Sequence, residues 1–108
     1  MADIIDNNRD QIIALCKQFG VRRLEVFGSA ASGSFDPARS DVDFVLDFGA
    51  QYERTLFSRY FGLKEALEKL LGRNVDLVMQ GALANPYFIE SVNRTRKLVY
   101  AAPVREAA

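Results

Sequence analysis

The sequence contains no histidine, no tryptophan and a single cysteine, Cys16, in 108 residues. Without histidine, the chain cannot by itself build a Ser-His-Asp or Cys-His catalytic arrangement, or a histidine-based metal site. One cysteine cannot form an internal disulfide. The chemistry open to this chain therefore rests on carboxylates, Lys and Arg side chains, hydroxyl groups, backbone N–H groups and a metal bound through oxygen.

An excess of either charge and long apolar runs are also absent. Fourteen Lys and Arg residues balance fourteen Asp and Glu residues, so the formal net charge is zero. A neutral chain does not favour nucleic-acid binding over its whole surface. No apolar run approaches the length of a membrane span, and the N-terminus lacks the features of a signal peptide. We therefore expect a cytoplasmic location, no membrane contact and no direct nucleic-acid binding.

The pattern of apolar residues predicts alternating helices and strands. Helical spacing marks residues 8–19, 53–71 and a short segment after 86, and residues 30–33 are expected to form one helical turn. Strands are predicted at 22–27, 42–48, 74–79 and 97–100. This order indicates an α/β (α+β) fold, a mixed sheet of about four strands with helices packed on it. We expect residues 1–102 to form one domain and residues 103–108 to be a frayed tail.

A Gly-Ser pair follows the first predicted strand. Gly28 allows a sharp turn and the close approach of a ligand. If a helix begins at Ser29, its free N–H groups favour a phosphate, and the hydroxyl can donate to a phosphate oxygen. Gly-Ser pairs are also common in ordinary turns, so this pair alone is weak evidence for phosphate binding.

Three acids point to a metal site. Asp41 and Asp43 lie two residues apart in the second predicted strand, so their carboxylates share one face. Mg²⁺ relieves the repulsion between such carboxylates and bridges them to phosphates. Asp76 interrupts an apolar run in the third predicted strand, and joins them if the two strands are neighbours. Three carboxylates can hold two metal ions, and Asp76 is also a candidate general base. The alternative is that all three acids lie on a solvated face.

These segments together resemble a known family. The chain carries Gly28-Ser29-Ala30-Ala31-Ser32-Gly33, then Ser40-Asp41-Val42-Asp43-Phe44, and later Val75-Asp76-Leu77-Val78. That order resembles the minimal nucleotidyltransferases of the polymerase-beta superfamily, and the resemblance extends from the first helix to about Tyr100. It implies that Gly28 and Ser29 bind the triphosphate of ATP, and that Asp41, Asp43 and Asp76 bind Mg²⁺. Asp76 would also help to deprotonate the acceptor.

One departure from the family concerns the loop after Gly28-Ser29. Many members carry arginine there, whereas this chain has Ala30 and Ser32. The resemblance therefore leaves open how strongly the nucleotide is bound. Arg39 and Arg73 are candidate replacements for the missing positive charge.

The small size resembles the stand-alone MNT type, which commonly accompanies a HEPN-domain toxin. That resemblance implies a protein adenylyltransferase that moves AMP from ATP to a tyrosine hydroxyl of the toxin and so acts as its antitoxin. A hetero-oligomer with the toxin would follow. The alternative is a binding module with a vestigial pocket, which neutralises its partner by contact through Phe57, Tyr60, Phe61 or the last helix. Transfer to a small molecule or an RNA end is a further alternative.

Overall fold

The computed structural model describes residues 2–38, 40–49 and 56–103. Five helices are found there, at Asp3–Asn7 (α1), Arg9–Gln18 (α2), Ser29–Ser32 (α3), Leu56–Leu71 (α4) and Pro86–Thr95 (α5). Four strands lie at Arg23–Phe27 (β1), Val42–Asp47 (β2), Val75–Met79 (β3) and Lys97–Ala101 (β4). All predicted elements are present, with ends shifted by a residue or two. The start of the predicted helix at 53–55, and the predicted tail beyond residue 103, lie outside the described residues.

The four strands form one mixed sheet in the order β3-β2-β1-β4. Strand β1 is antiparallel to both β2 and β4, whereas β2 and β3 are parallel. The predicted mixed α/β fold is confirmed. In this register Asp43 lies opposite Phe27 on one side and opposite Asp76 on the other.

Side chains alternate between the two faces of the sheet, and the faces are covered differently. One face carries the main core, in which Val42, Phe44 and Leu46 pack with apolar residues of α2 and α4. The other face carries a smaller cluster, in which Phe27 and Val45 pack with Val92 of α5. Asp43 and Asp76 belong to this second face, because they alternate with the residues of the main core. The position of helix α5 on this face therefore affects how accessible Asp43 and Asp76 are.

A buried arginine holds α4 against the end of α2. Arg59 is 3% exposed, and its guanidinium donates to the carbonyl oxygens of Phe19 and Gly20 at 2.9 and 2.6 Å. Its guanidinium carbon also lies 4.2 Å from the centre of the Phe48 ring. Helices commonly leave their last carbonyl groups without intrahelical partners. Arg59 therefore provides donors for two part-buried acceptors at the C-terminus of α2.

The single cysteine belongs to the main core. Cys16 is fully buried, and burial raises the pKa of its thiol to about 12. Within the described residues, no helix is both long and apolar enough to cross a membrane.

Candidate active site

The turn after β1 has a backbone that requires glycine. Gly28 has φ +72°, and a Cβ placed there would lie 2.6 Å from Oδ2 of Asp43. The N–H of Gly28 donates to Oγ1 of Thr95 at 2.8 Å, which ties the turn to the end of α5. Helix α3 begins at once with Ser29 and ends at Gly33, which has φ +89°. The absence of a side chain at Gly28 thus brings the backbone directly against the Asp43 carboxylate.

Asp43 and Asp76 form a carboxylate pair across the parallel strands. They are register partners, and Asp43 is half-buried while Asp76 is exposed. The pKa of Asp43 is raised to about 7 by burial, by a hydrogen bond with Asp76, and by the negative charges of Asp76 and Asp41. Near neutral pH, Asp43 therefore holds a proton part of the time, because two adjacent ionised carboxylates repel each other.

Asp41 is placed differently from the other two acids. It lies one residue before β2, is exposed, and acts on Asp43 through its charge. Among the described residues, no three acidic side chains lie close enough together to form a metal-binding group. The structure therefore brings Asp43 and Asp76 together and leaves Asp41 beside them. Strand alternation does not fix the Asp41 side chain, because that residue lies outside the paired strand.

Asp43 and Asp76 line a cleft of about 490 Å³ between α4 and α5. Helix α4 contributes Tyr60 and Lys64, and helix α5 contributes Phe88 and Ser91. The Tyr60 hydroxyl donates to the carbonyl oxygen of Leu77 in β3. The cleft thus combines two carboxylates, a lysine, hydroxyl groups and aromatic rings, which is a mixture suited to a charged aromatic ligand.

Both ends of α5 are fixed. Asn85 caps its first turn and accepts from the N–H groups of Tyr87 and Phe88 at 2.9 and 3.3 Å. At the other end, Arg96 makes two bonds to Glu25, of 2.7 and 3.2 Å. Burial raises the pKa of Glu25, but the bonds to Arg96 and Arg23 outweigh that effect and lower it overall. This ion pair holds the end of α5 beside the Gly28 turn.

A comparison with known families identifies this arrangement. The profile of the family described as Nucleotidyltransferase domain matches residues 9–101, from α2 through β4. The chain belongs to the nucleotidyltransferase domain family. The resemblance drawn from the sequence motifs is confirmed, and the chain is an enzyme that uses a nucleotide as substrate.

Relatives agree with this family assignment. The nucleotidyltransferase is 34% identical over 92 residues to a proposed protein adenylyltransferase of Methanocaldococcus jannaschii. The aligned residues cover 85% of this chain and 90% of that protein. It is 44% identical over 69 residues to the protein adenylyltransferase MntA of Thermococcus cleftensis, which covers 64% of this chain and 66% of that protein.

Solved structures share its fold. A candidate minimal nucleotidyltransferase superposes with a TM-score of 0.70 at 37% identity, over 90% of this chain and 95% of the other. A chain from the complex of the tri-AMPylated HEPN toxin of Shewanella oneidensis with MNT antitoxin has a TM-score of 0.62 at 19% identity. That match covers 90% of this chain and 72% of the other.

Some residues in the cleft or in contact with it carry no local sequence signal of their role. Thr95 accepts from the N–H of Gly28, which lies 67 residues away from it in the chain. Lys64 and Ser91 look like ordinary polar positions of surface helices. The roles of Gly28, Ser29, Asp41, Asp43 and Asp76 in nucleotide and metal binding stay predictions.

The structure also bears on the missing loop arginines. Ala30 is fully buried, so its side chain faces the core, whereas Ser32 is exposed. Arg73 lies away from the cleft, where it donates to the carbonyl oxygens of Pro37 and Ser40 at 3.2 Å each. Arg39 lies outside the described residues. Arg73 thus stabilises the loop before Asp41 and is not among the residues that line the cleft.

Proposed function

We propose that this nucleotidyltransferase is a Mg²⁺-dependent protein adenylyltransferase. It transfers AMP from ATP to a tyrosine hydroxyl of a cognate HEPN-domain toxin in the cytoplasm and thereby acts as its antitoxin. Residues 1–102 form the catalytic domain. The observation that carries the proposal is the Asp43–Asp76 pair beside the Gly28 turn in one cleft. Two relatives named as protein adenylyltransferases, and the MNT–toxin complex of similar fold, support the choice of reaction and acceptor.

The donor set fits Mg²⁺. Asp43 and Asp76 supply adjacent carboxylate oxygens, and burial together with the neighbouring Asp76 raises the pKa of Asp43. Asp41 is close enough to act on Asp43 by its charge and is the third candidate oxygen donor. When bound, Mg²⁺ neutralises phosphate charge and favours the ionised acceptor.

The residues of the chain have separate tasks in the reaction. The bare backbone at Gly28 lets phosphates approach the carboxylates, and the Ser29 hydroxyl donates to a phosphate oxygen. The tyrosine oxygen forms a bond to the α-phosphorus, while the bond from that phosphorus to the pyrophosphate oxygen breaks. The phenol proton passes to Asp76, which is the more exposed carboxylate of the pair. The walls of the cleft hold the reactants in position.

The test is a labelling experiment with the product of the neighbouring gene. That protein is incubated with the nucleotidyltransferase, Mg²⁺ and ATP labelled at the α-phosphate. We expect label on the partner with the wild type and none with Asp43→Asn or Asp76→Asn. Asp47→Asn is the matched control, because Asp47 is also an acid of β2 but lies four residues away. Equal labelling by the wild type and the two variants would refute the assignment of the site.

A second candidate function is neutralisation by contact alone. Phe57 and Phe61 on α4 are 73% and 51% exposed, and their ring centres lie 4.7 Å apart. Exposed aromatic pairs are typical of protein interaction surfaces. An Asp43→Asn/Asp76→Asn double variant that still silences the toxin, together with a Phe57→Ser/Phe61→Ser variant that does not, would favour this alternative over adenylylation.

A further inference from the structure

We propose that Lys64 binds the β- and γ-phosphates of the nucleotide and supplies the positive charge that the loop after Ser29 lacks. The inference rests on the proposed nucleotidyl transfer and adds a residue that determines how ATP is held. Lys64 lies on α4 and lines the same cleft as Gly28, Asp43 and Asp76. Of the cleft-lining residues in the described part of the chain, it is the one with a positive charge.

The charges of the cleft call for such a group. Asp43 and Asp76 are both acidic, and a nucleoside triphosphate adds further negative charge. The loop after Ser29, where many family members carry arginine, has the buried Ala30 and the uncharged, exposed Ser32 here. Arg73 donates to loop carbonyl oxygens and does not line the cleft. A lysine ammonium is a compact point charge that binds phosphate well. Lys64 of α4 can therefore supply the positive charge from within the cleft.

Lys64 is also free enough to move to a ligand. Its Nζ lies 3.8 Å from Oε2 of Glu68, and each side chain is 33% exposed. Exposed ion pairs of this kind are weak. Glu68 has a partner of its own, because its Oε2 accepts from the N–H of Val75 at 3.1 Å. Lys64 can therefore leave Glu68 for a phosphate without freeing the start of β3.

Glu68 also provides the competing explanation, which is purely structural. Lys64 could matter because it steadies Glu68, which in turn holds the N–H of Val75 next to Asp76. Glu68→Gln separates the two ideas, because glutamine keeps an oxygen acceptor for Val75 and removes the ion pair. If Lys64 binds phosphate, Glu68→Gln leaves ATP affinity unchanged or increases it. If Lys64 only steadies Glu68, the same variant weakens ATP binding as much as loss of Lys64.

The experiment measures binding of a non-hydrolysable ATP analogue, ADP and AMP by titration calorimetry with Mg²⁺ and no partner protein. We expect Lys64→Met to lower the affinity for the ATP analogue by about ten- to a hundredfold, as for loss of a charge-assisted hydrogen bond. The affinity for AMP should change by less than about twofold, since AMP lacks the β- and γ-phosphates. Lys64→Arg should retain most of the affinity. Lys69→Met is the control, since Lys69 lies on the same helix but lines a different surface pocket.

The outcomes divide clearly. Equal weakening of ATP analogue and AMP by Lys64→Met, or weakening by Glu68→Gln of the same size, would overturn the assignment of Lys64. A wild type that binds none of the nucleotides would overturn it together with the proposed function. If Lys64→Met changes nucleotide binding as expected but the wild type leaves the HEPN protein unlabelled, the result supports phosphate binding by Lys64 and refutes only the proposed acceptor.

Discussion

Replacing Asp43 with asparagine should make the protein more stable at neutral and alkaline pH while removing its activity. The pKa of Asp43 is raised from 3.8 to about 7, chiefly by burial and by Asp76. A difference of roughly three pKa units corresponds to about 4 kcal/mol at 1.36 kcal/mol per unit. Because the side chain is only half-buried, screening by solvent reduces this to about 1–2 kcal/mol. Asparagine has nearly the shape of the carboxyl group and can donate a hydrogen bond to Asp76.

The raised pKa of Asp43 determines how the stability difference between the two proteins changes with pH. The folded state holds a proton on Asp43 up to about pH 7, whereas the unfolded chain releases it near pH 3.8. The folded state therefore binds more protons between these values, and the free energy of unfolding falls as the pH rises through that range. Asparagine does not titrate. The extra stability of Asp43→Asn should thus be small near pH 4, grow through the range and become constant above about pH 7.

The assay is thermal and urea unfolding of both proteins from pH 4 to 8.5, at constant ionic strength and with EDTA. At pH 8 we expect the midpoint temperature of Asp43→Asn to be about 4–8 °C above that of the wild type, given the size of the chain. Asp47→Asn controls for the loss of an acid elsewhere in β2. A gain of the same size at pH 4.5 and pH 8, or no gain at pH 8, would refute the electrostatic account of the pair.

Three further predictions concern the Gly28 turn, its contact with α5, and the buried arginine of α4. Gly28→Ala should lower the free energy of unfolding by about 1–3 kcal/mol and strongly reduce AMP transfer, because φ is +72° and the new Cβ would lie 2.6 Å from Oδ2 of Asp43. Unchanged labelling and unfolding would contradict this. Thr95→Val should raise the KM for ATP several-fold, and Thr95→Ser should keep it near the wild-type value, because the hydroxyl accepts from the Gly28 N–H. Steady-state kinetics measure this, and equal KM values for the wild type and Thr95→Val would contradict it. Arg59→Met should lower the free energy of unfolding by about 2–3 kcal/mol with little change in KM, because the part-buried carbonyl oxygens of Phe19 and Gly20 lose their donors. Urea unfolding with no loss of stability would count against the contact.

The sequence carried enough information to predict the sheet and the carboxylate pair. Strand alternation placed Asp43 and Asp76 on the face opposite the apolar core, and the parallel pairing of β2 with β3 then made them neighbours. Asp41 was predicted to share that face, but it lies before the strand begins, where alternation no longer determines side-chain direction. Helix α1 was missed, because five residues are too few to display helical periodicity.

Contacts between distant segments could not be predicted in the same way. In α4 the apolar residue Leu56 is 38% exposed, whereas the charged residue Arg59 is buried. Arg59 is buried there because its guanidinium finds carbonyl acceptors at the end of α2 that only the folded arrangement provides. The docking of α5 and α4 likewise brings Thr95 against Gly28 and Lys64 into the cleft, and neither residue belongs to a local motif.

The central claim is that the Asp43–Asp76 pair catalyses transfer of AMP to a tyrosine of the HEPN partner. Its most direct test is mass spectrometry of that partner after incubation with ATP, Mg²⁺ and the nucleotidyltransferase. The account predicts one or more added AMP groups on tyrosine with the wild type, and an unmodified partner with Asp43→Asn or Asp76→Asn at equal protein concentration. A partner that stays unmodified with the wild type, or is modified equally by the folded variants, would contradict it.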